Sequence, residues 1–200
     1  MNAAGDKTDR RARRTRQSLN DALIRLILEK RYDSITVQDV IDRAGVARST
    51  FYAHYRDKDD LFLQGWRSLL DMFARSIAWD DAGRRQFVPL LKLLLHVRDS
   101  HNFYRALVRS RKTAMLFRTG HAYLSESSER SLESWLADKP RPPLPVPLVA
   151  DYLAGEVMSL LKWWLDHDMP YTPERMAEMF HQLVGPGVRA ALSDAARDAE

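Results

Sequence analysis

Thr36-Val-Gln-Asp-Val-Ile-Asp-Arg-Ala-Gly-Val-Ala-Arg-Ser-Thr-Phe-Tyr-Ala-His-Tyr-Arg-Asp-Lys-Asp-Asp-Leu-Phe62 is the stretch on which the reading of this 200-residue chain turns. Thr36 is a good helix N-cap, and Asp39 three residues on makes a capping-box pattern with Asp in place of Glu. Val37, Val40 and Ile41 supply a buried stripe for a helix of only two turns. Gly45 then stops it, because glycine takes the left-handed backbone at a helix C-terminus without strain. A further short helix is expected at once, over about Ala47 to His54. With Phe51 as its inward centre, a step of about 100° per residue puts Ala47 and Tyr55 on the buried side. The same step turns Ser49, Thr50, Tyr52 and Ala53 outward, with Arg48 on the flank. Two short helices joined by a tight glycine turn make a helix-turn-helix. The second helix of such a unit lies in the major groove, its N-terminal residues nearest the bases. Small hydroxyls, an arginine and a tyrosine suit base edges and phosphates. An ordinary pair of helices in a bundle would have the same lengths, so the neighbouring sequence has to decide.

Upstream, Leu19, Ala22, Leu23, Leu26 and Ile27 fall at i, i+3, i+4, i+7 and i+8, one apolar stripe of an amphipathic helix. That helix is expected from about Thr8 or Arg11 to Lys30. The first sixteen residues hold Lys7, Arg10, Arg11, Arg13, Arg14 and Arg16 against Asp6 and Asp9. Their excess equals the whole net charge of +4. A basic, disordered arm over residues 1–10, with Arg14 just inside the helix, suits the phosphates of nucleic acid, where neutralising charge releases counterions. A solvated tail would look the same in isolation.

Taken together, residues 11–62 resemble the DNA-binding signature of TetR/AcrR-type regulators. The match rests on the helix opened by Thr36, on Ala44-Gly45-Val46, on Thr50-Phe51-Tyr52, on the aromatic Tyr55, and on Asp57-Lys58 before Leu61-Phe62. The resemblance implies that Thr36 and Lys58 hold backbone phosphates, Lys58 at the start of the fourth helix. It implies that Arg48, Ser49 and Thr50 face bases, that Tyr52 and His54 contact phosphate or sugar, and that Phe51 and Tyr55 are core. Ala47 departs from the pattern, standing where the family usually has a serine or threonine cap. Losing such a cap typically costs about 1 kcal/mol, so the start of this helix is expected to fray or to be held by Arg48 and Ser49. The resemblance further implies a homodimer, formed by the last two long helices, on a palindromic operator. It also implies a small-molecule effector.

The rest of the composition narrows the classes. At 45% hydrophobic and 29% charged the chain is ordinary for a globular protein. The absence of cysteine excludes disulfides, thiol catalysis and zinc fingers. The richest apolar run, Leu90 to Leu95, is broken by Lys92 and is far too short to cross a bilayer, and the start of the chain lacks the apolar core of a secretory signal. A cytoplasmic protein without a membrane partner is expected.

From Asp57 the chain reads as helix after helix. Leu61, Gly65, Leu69, Met72 and Phe73 continue one face of a fourth, with Trp66, Leu70 and Ile77 beside it, ending near Trp79–Gly83. A fifth is expected over about Arg84–Arg98 with Pro89 in its first turn, a sixth over Asn102–Ser110, and a seventh over Thr113–Ala137. Pro140, Pro142, Pro143, Pro145 and Pro147 predict a stiff extended connector. The eighth helix, Leu148–Asp166, carries a narrow polar and small stripe of Asp151, Gly155, Ser159, Lys162 and Asp166, and is apolar over most of its remaining circumference. Such a helix has to be buried on more than one side. A ninth, Pro173–Val184, is expected to break at Gly185-Pro186-Gly187. The expected fold is therefore all-α with about nine helices: an N-terminal three-helix helix-turn-helix DNA-binding domain over 11–56, then a helical bundle over 57–200 for dimerisation and effector binding.

Candidate dimer residues are Tyr152, Val157, Leu160, Trp164, Phe180 and Leu183. Candidate effector-pocket residues are Trp66, Phe73, Phe103, Phe117, Met158 and Trp163, although aromatic and Met stripes at helical spacing are more often plain core. Among the six histidines no HExxH or second carboxylate at ligand spacing occurs, and no glycine-rich phosphate loop is present. Neither an enzyme, a metal site nor a cofactor is expected. The function expected is a sequence-specific regulator of transcription, by default a repressor that an effector releases. An activator of the same fold, or a helical interaction module whose basic arm binds protein or membrane, is the alternative.

Overall fold

The computed structural model describes residues 3–74, 90–108 and 113–192. These residues are helical throughout apart from turns and connectors: α1 Ala3–Glu29, α2 Val37–Ala44, α3 Arg48–Tyr52, α4 Lys58–Ala74, α5 Leu90–Asp99, α6 His101–Val108, α7 Thr113–Leu136, α8 Val146–Asp166 and α9 Pro173–Leu192. A single 3-10 turn, Tyr32–Ser34, links α1 to α2. The expected end of the fourth helix near Trp79–Gly83, Ile77, the start of the fifth with Pro89, and Ser110 lie outside the described residues. Among the described residues no helix is long and apolar enough to cross a membrane.

Two compact units are present, Met1–Ser68 with Asn102–Thr113, and Leu69–His101 with Ala114–Glu200. In the first, the predicted stripe of α1 is buried in full: Leu19, Ala22, Leu23, Leu26 and Ile27 are each 5% exposed or less. They pack with Val40 and Ile41 of α2, Phe51 of α3, and Leu61, Phe62 and Trp66 of α4 to make the core. Each leucine, isoleucine, valine and phenylalanine among them contributes about 1.5–3 kcal/mol by leaving water. Helix α1 starts at Ala3, so residues 3–10, expected to be a disordered arm, continue the helix. Ala3, Ala4, Lys7 and Arg10 are good helix formers, Asp6 and Asp9 sit near the helix N-terminus where the dipole favours them, and no proline stops the segment.

Helix α4 differs from expectation in the direction of its apolar face. Leu61, Phe62, Trp66 and Leu70 are buried, Gly65 and Leu69 are half-buried, and Met72 is 56% exposed. Bulky Trp66 takes the inward position that the sequence pattern gave to its neighbour. Gly65 serves another purpose, since a Cβ there would run into the side-chain amide oxygen of Asn20 on α1. The two helices cross closely at that glycine.

In the second unit, α9 packs on α5 and α8. Helix α8 begins at Val146, two residues earlier than expected, because Pro145 occupies the N-cap and Pro147 the first turn, where a missing N–H is tolerated. Its buried side is broad: Val149, Ala150, Leu153, Ala154, Val157, Met158, Leu161, Trp164 and Leu165. Helix α9 does not break at Gly185-Pro186-Gly187 but runs on to Leu192 with Pro186 inside it. Proline in a helix interior forfeits one hydrogen bond and costs about 3 kcal/mol. Met176, Phe180, Val184, Val188 and Leu192, spaced four apart and all buried, hold the helix together across that point. Tertiary burial outweighs the local stop signal.

Candidate nucleic-acid interface

The site is built outward from the turn between α1 and α2. Thr36, the N-cap of α2, has an extended backbone, and its Oγ1 accepts from the amide of Asp39 at 3.1 Å. The Asp39 carboxylate in return accepts from the Thr36 amide and hydroxyl, both at 2.7 Å. The predicted capping box is therefore complete. Lys30 Nζ lies 2.8 Å from the same carboxylate. Lys30, with the Thr36 amide and hydroxyl, holds the Asp39 carboxyl well below its usual range. One turn on, Arg43 grips Glu29 with two guanidinium nitrogens, at 2.8 and 2.6 Å. Two ion pairs thus clamp α2 against the end of α1.

Gly45 ends α2 at φ 65°, ψ 36°, a backbone that a side chain would strain. The turn hands over to α3, only five residues long. Ala47 is its N-cap and offers no side-chain hydrogen bond; its carbonyl accepts from the amides of Thr50 and Phe51 at 3.0 and 3.2 Å. Ala47 is exposed rather than buried as expected, because it stands before the first helical turn and does not follow the helical step. Phe51 is fully buried, with the Tyr55 ring centroid 5.9 Å away. Opposite them Arg48, Ser49, Tyr52 and Ala53 are exposed, while Thr50 and His54 are half-buried. Tyr52 stands edge-on to Phe51 at 5.3 Å, and the Arg48 guanidinium lies 5.6 Å above the Tyr52 ring. Arg48 does not cap the backbone of its own helix; Nη1 donates instead to Gln38 Oε1 on α2 at 3.4 Å. Gln38 had no distinguishing sign in the sequence, since its link to Arg48 spans ten residues.

Lys58 is turned inward. Its ammonium donates to the carbonyls of Tyr32 and Ile35 at 2.8 and 2.5 Å and sits 4.7 Å from the Tyr32 ring centroid. Tyr32 in turn donates to Asp59 Oδ1 at 2.6 Å. Burial, with that carboxylate beside it, pushes the phenol upward. Lys58 therefore ties the loop before α2 to the start of α4, whatever else approaches it. Arg14 is exposed on α1, ahead of the buried stripe that begins at Leu19. Of the expected DNA-contacting set, Arg48, Ser49, Thr50, Tyr52 and His54 share or adjoin one short helix, and Thr36 caps its neighbour.

The other two expected sets are only partly grouped. Val157, Trp164 and Phe180, expected at a dimer interface, are instead buried within the unit, at 0%, 0% and 5% exposure. Trp164 also donates Nε1 to the Tyr171 carbonyl at 3.0 Å. The side chains of all three are covered within this unit. Tyr152 and Leu183 are exposed, at 49% and 78%, and Leu160 is half-buried. Leu148 and Trp163, also exposed, continue the Tyr152 side of α8 at i−4 and i+11. Trp163, expected in an effector pocket, lies on the outside, stacked on His167 at 4.4 Å. A tryptophan indole on an outer helix face lines no interior cavity. Trp66 and Met158 are buried, Phe103 and Phe117 are half-buried, and the Phe73 side chain lies outside the described residues. Among the described residues no three His, Asp or Glu side chains group as a metal site.

Comparison with known proteins agrees with this geometry. Residues 19–64 match the family model described as bacterial regulatory proteins, tetR family, and residues 89–185 match that of a transcriptional regulator C-terminal region. An uncharacterized HTH-type transcriptional regulator of Bacillus subtilis, YxbF, is 25% identical over 182 residues, which is 88% of this chain and 46% of that protein. The HTH-type transcriptional regulator AcrR of Shigella flexneri is 37% identical over 60 residues, 30% of this chain and 28% of its own. The chain thus covers less than half the length of either relative. Among solved structures, a TetR transcriptional regulator from Streptococcus agalactiae is similar at TM-score 0.59 and 25% identity, over 90% of this chain and 98% of that one. The dihydroxyacetone kinase operon activator DhaS shares the fold at TM-score 0.65 and 14% identity, over 90% and 98%. So does NalD of Pseudomonas aeruginosa, a secondary repressor of an efflux pump, at 0.58 and 17%, over 90% and 98%.

Proposed function

The chain belongs to the TetR family of bacterial transcriptional regulators, and we propose that it binds an inverted-repeat operator as a homodimer, represses by default, and is released by a small-molecule effector. The observation that carries this reading is the outer face of α3. Arg48, Ser49 and Tyr52 are exposed there on a helix whose other side is anchored by the fully buried Phe51. One five-residue helix reaches only a few base pairs. Two related by a two-fold axis would read half-sites about one helical turn, roughly 34–36 Å, apart.

The exposed side of α8 (Leu148, Tyr152 and Trp163), with Leu183 of α9, supports the homodimer. Exposed large apolar side chains of this kind are what a self-complementary contact buries. Leu183→Glu is expected to give monomers in analytical ultracentrifugation with helicity unchanged. A dimer that survives both this change and Tyr152→Asp would place the contact elsewhere.

Repression follows from occlusion, since a dimer on an operator blocks polymerase. That both DhaS and NalD share the fold supports treating activator and repressor as open to the same reader. An effector acts only through its preference for the dimer state that does not bind DNA. The buried aromatic and Met residues favour an apolar or aromatic one. The place of action is the cytoplasm, where operator DNA is found. The division of labour is a reader over 11–56, preceded by the basic start of α1, and a dimerisation and effector region over 57–200.

In-vitro selection from random duplex DNA at two salt concentrations tests the reading. An enriched inverted repeat, with affinity falling steeply with salt, is the expected result. Bulk salt-sensitive binding without enrichment would demote the reader to a basic helical surface with another partner. Tyr52→Ala is expected to weaken operator binding at unchanged stability.

A further inference from the structure

Gln38 lies on the helix behind the reader, yet it touches the reader's one arginine. Its Nε2 donates to Asp42 Oδ1 at 2.8 Å, one turn along α2. A carboxylate only accepts, so that bond fixes the nitrogen end of the amide and leaves the oxygen end for Arg48, whose Nη1 reaches it at 3.4 Å. The guanidinium also lies over the Tyr52 ring, which stands edge-on to the fully buried Phe51. Arg48 therefore has two contacts that orient it, an oriented amide oxygen and the Tyr52 ring. Ala47 gives α3 no side-chain cap, so the same link ties the first turn of the reader to α2.

We propose that Gln38 is a positioning residue for base recognition: through the Asp42–Gln38–Arg48 chain it aims the Arg48 guanidinium and so sets the base preference at the pair Arg48 reads. The inference rests on the DNA-binding reading above. An arginine that contacts a base bidentately needs its planar fork in one orientation, and a flexible side chain seldom has it in advance. Orienting it beforehand sharpens the choice between bases more than it raises overall affinity. No phosphate contact is involved, so the salt dependence of binding does not change when the chain is broken.

The test is selection from random duplex DNA with the full chain, in wild type, Gln38→Ala, Arg48→Ala and the double variant, with binding measured at two salt concentrations. Gln38 is exposed, so its truncation leaves the core intact. Gln38→Ala and Arg48→Ala are expected to relax preference at the same base pair. Discrimination should fall several-fold, the double variant should be no worse than Arg48→Ala, and the salt slope of Gln38→Ala should match wild type. Exchanging the two supports, Gln38→Glu with Asp42→Asn, keeps an acceptor for Arg48 and a donor beside it, and is expected to restore the preference. An unchanged motif in Gln38→Ala where Arg48→Ala changes it overturns the proposal. A change at a different base pair overturns it too, because Gln38 would then read DNA itself. If wild type selects no motif, the DNA-binding reading has failed first and this inference falls with it.

Discussion

The α2–α3 pair and the α8–α9 pair are both helical, yet they are specified in opposite ways. Around α2 and α3 the shape is set by single residues with distinct local chemistry: the Thr36–Asp39 box, Gly45 in the left-handed region, and Phe51 driven fully inward. Along α8 apolar residues cover most of the circumference, and on α8 and α9 alike no one apolar residue says which way it faces. Local signals act within one turn of chain and survive any arrangement of the remainder. Apolar surface only says that something must cover it, and what covers it is decided by distant segments.

The largest expected effect separates a residue committed to the core from one that is not. Phe51→Ala removes a fully buried ring and is expected to cost about 3–5 kcal/mol in chemical denaturation. Leu183→Ala, at 78% exposure, should stay within about 0.5 kcal/mol for the monomer. Equal losses at the two sites would erase the distinction between the regions.

Next comes a test of tertiary override. Pro186→Ala relieves an interior proline and is expected to stabilise α9, by up to about 3 kcal/mol. A loss of stability would mean that the backbone there needs the proline. Smaller is the cap: Thr36→Ala is expected to cost about 1 kcal/mol while leaving α8 and α9 untouched.

Acid sharpens the same point. The Asp39 carboxyl is held below its ordinary value of 3.8, first by Lys30 and then by the amide and hydroxyl of Thr36. Glu29 is likewise lowered from 4.5, chiefly by its bonds to Arg43. A carboxyl whose folded pKa is depressed stabilises fully above its unfolded value, and that contribution is lost as pH falls through the folded one. Stability is therefore expected to decline below about pH 4, and the decline should be shallower in Asp39→Asn. Parallel pH profiles for the two proteins would remove these pairs from the account.

The same contrast explains what was legible in the sequence. The end of α2 at Gly45, the capping box and the buried stripe from Leu19 to Ile27 all follow from short-range periodicity and cap chemistry, whereas α3 spans only Arg48–Tyr52 of the expected 47–54. Ala47 was misplaced because the helical step was carried one residue past the helix start. Met72 was misplaced because a stripe drawn through Gly65 ignored that a glycine marks a close crossing and a tryptophan beside it takes the inside. In α8 the periodicity found the helix but could not separate Val157 and Trp164, which face α9 or the core of their own unit, from Tyr152 and Trp163, which face out. Gly185-Pro186-Gly187 reads as a stop by every local rule, and only the buried line from Met176 to Leu192 overrides it. The link of Gln38 to Arg48 and the bonds of Lys58 reach segments ten or more residues away, beyond the range of any local pattern.

A helix of five residues has no independent existence in water, because its nucleation is never repaid over so short a length. The reader α3 persists only while Phe51 stays buried in the first unit. Its melting point is thus not its own: warming that loosens the first unit dissolves the recognition surface at the same moment. For this protein the thermometer of the fold and the thermometer of the operator are one instrument.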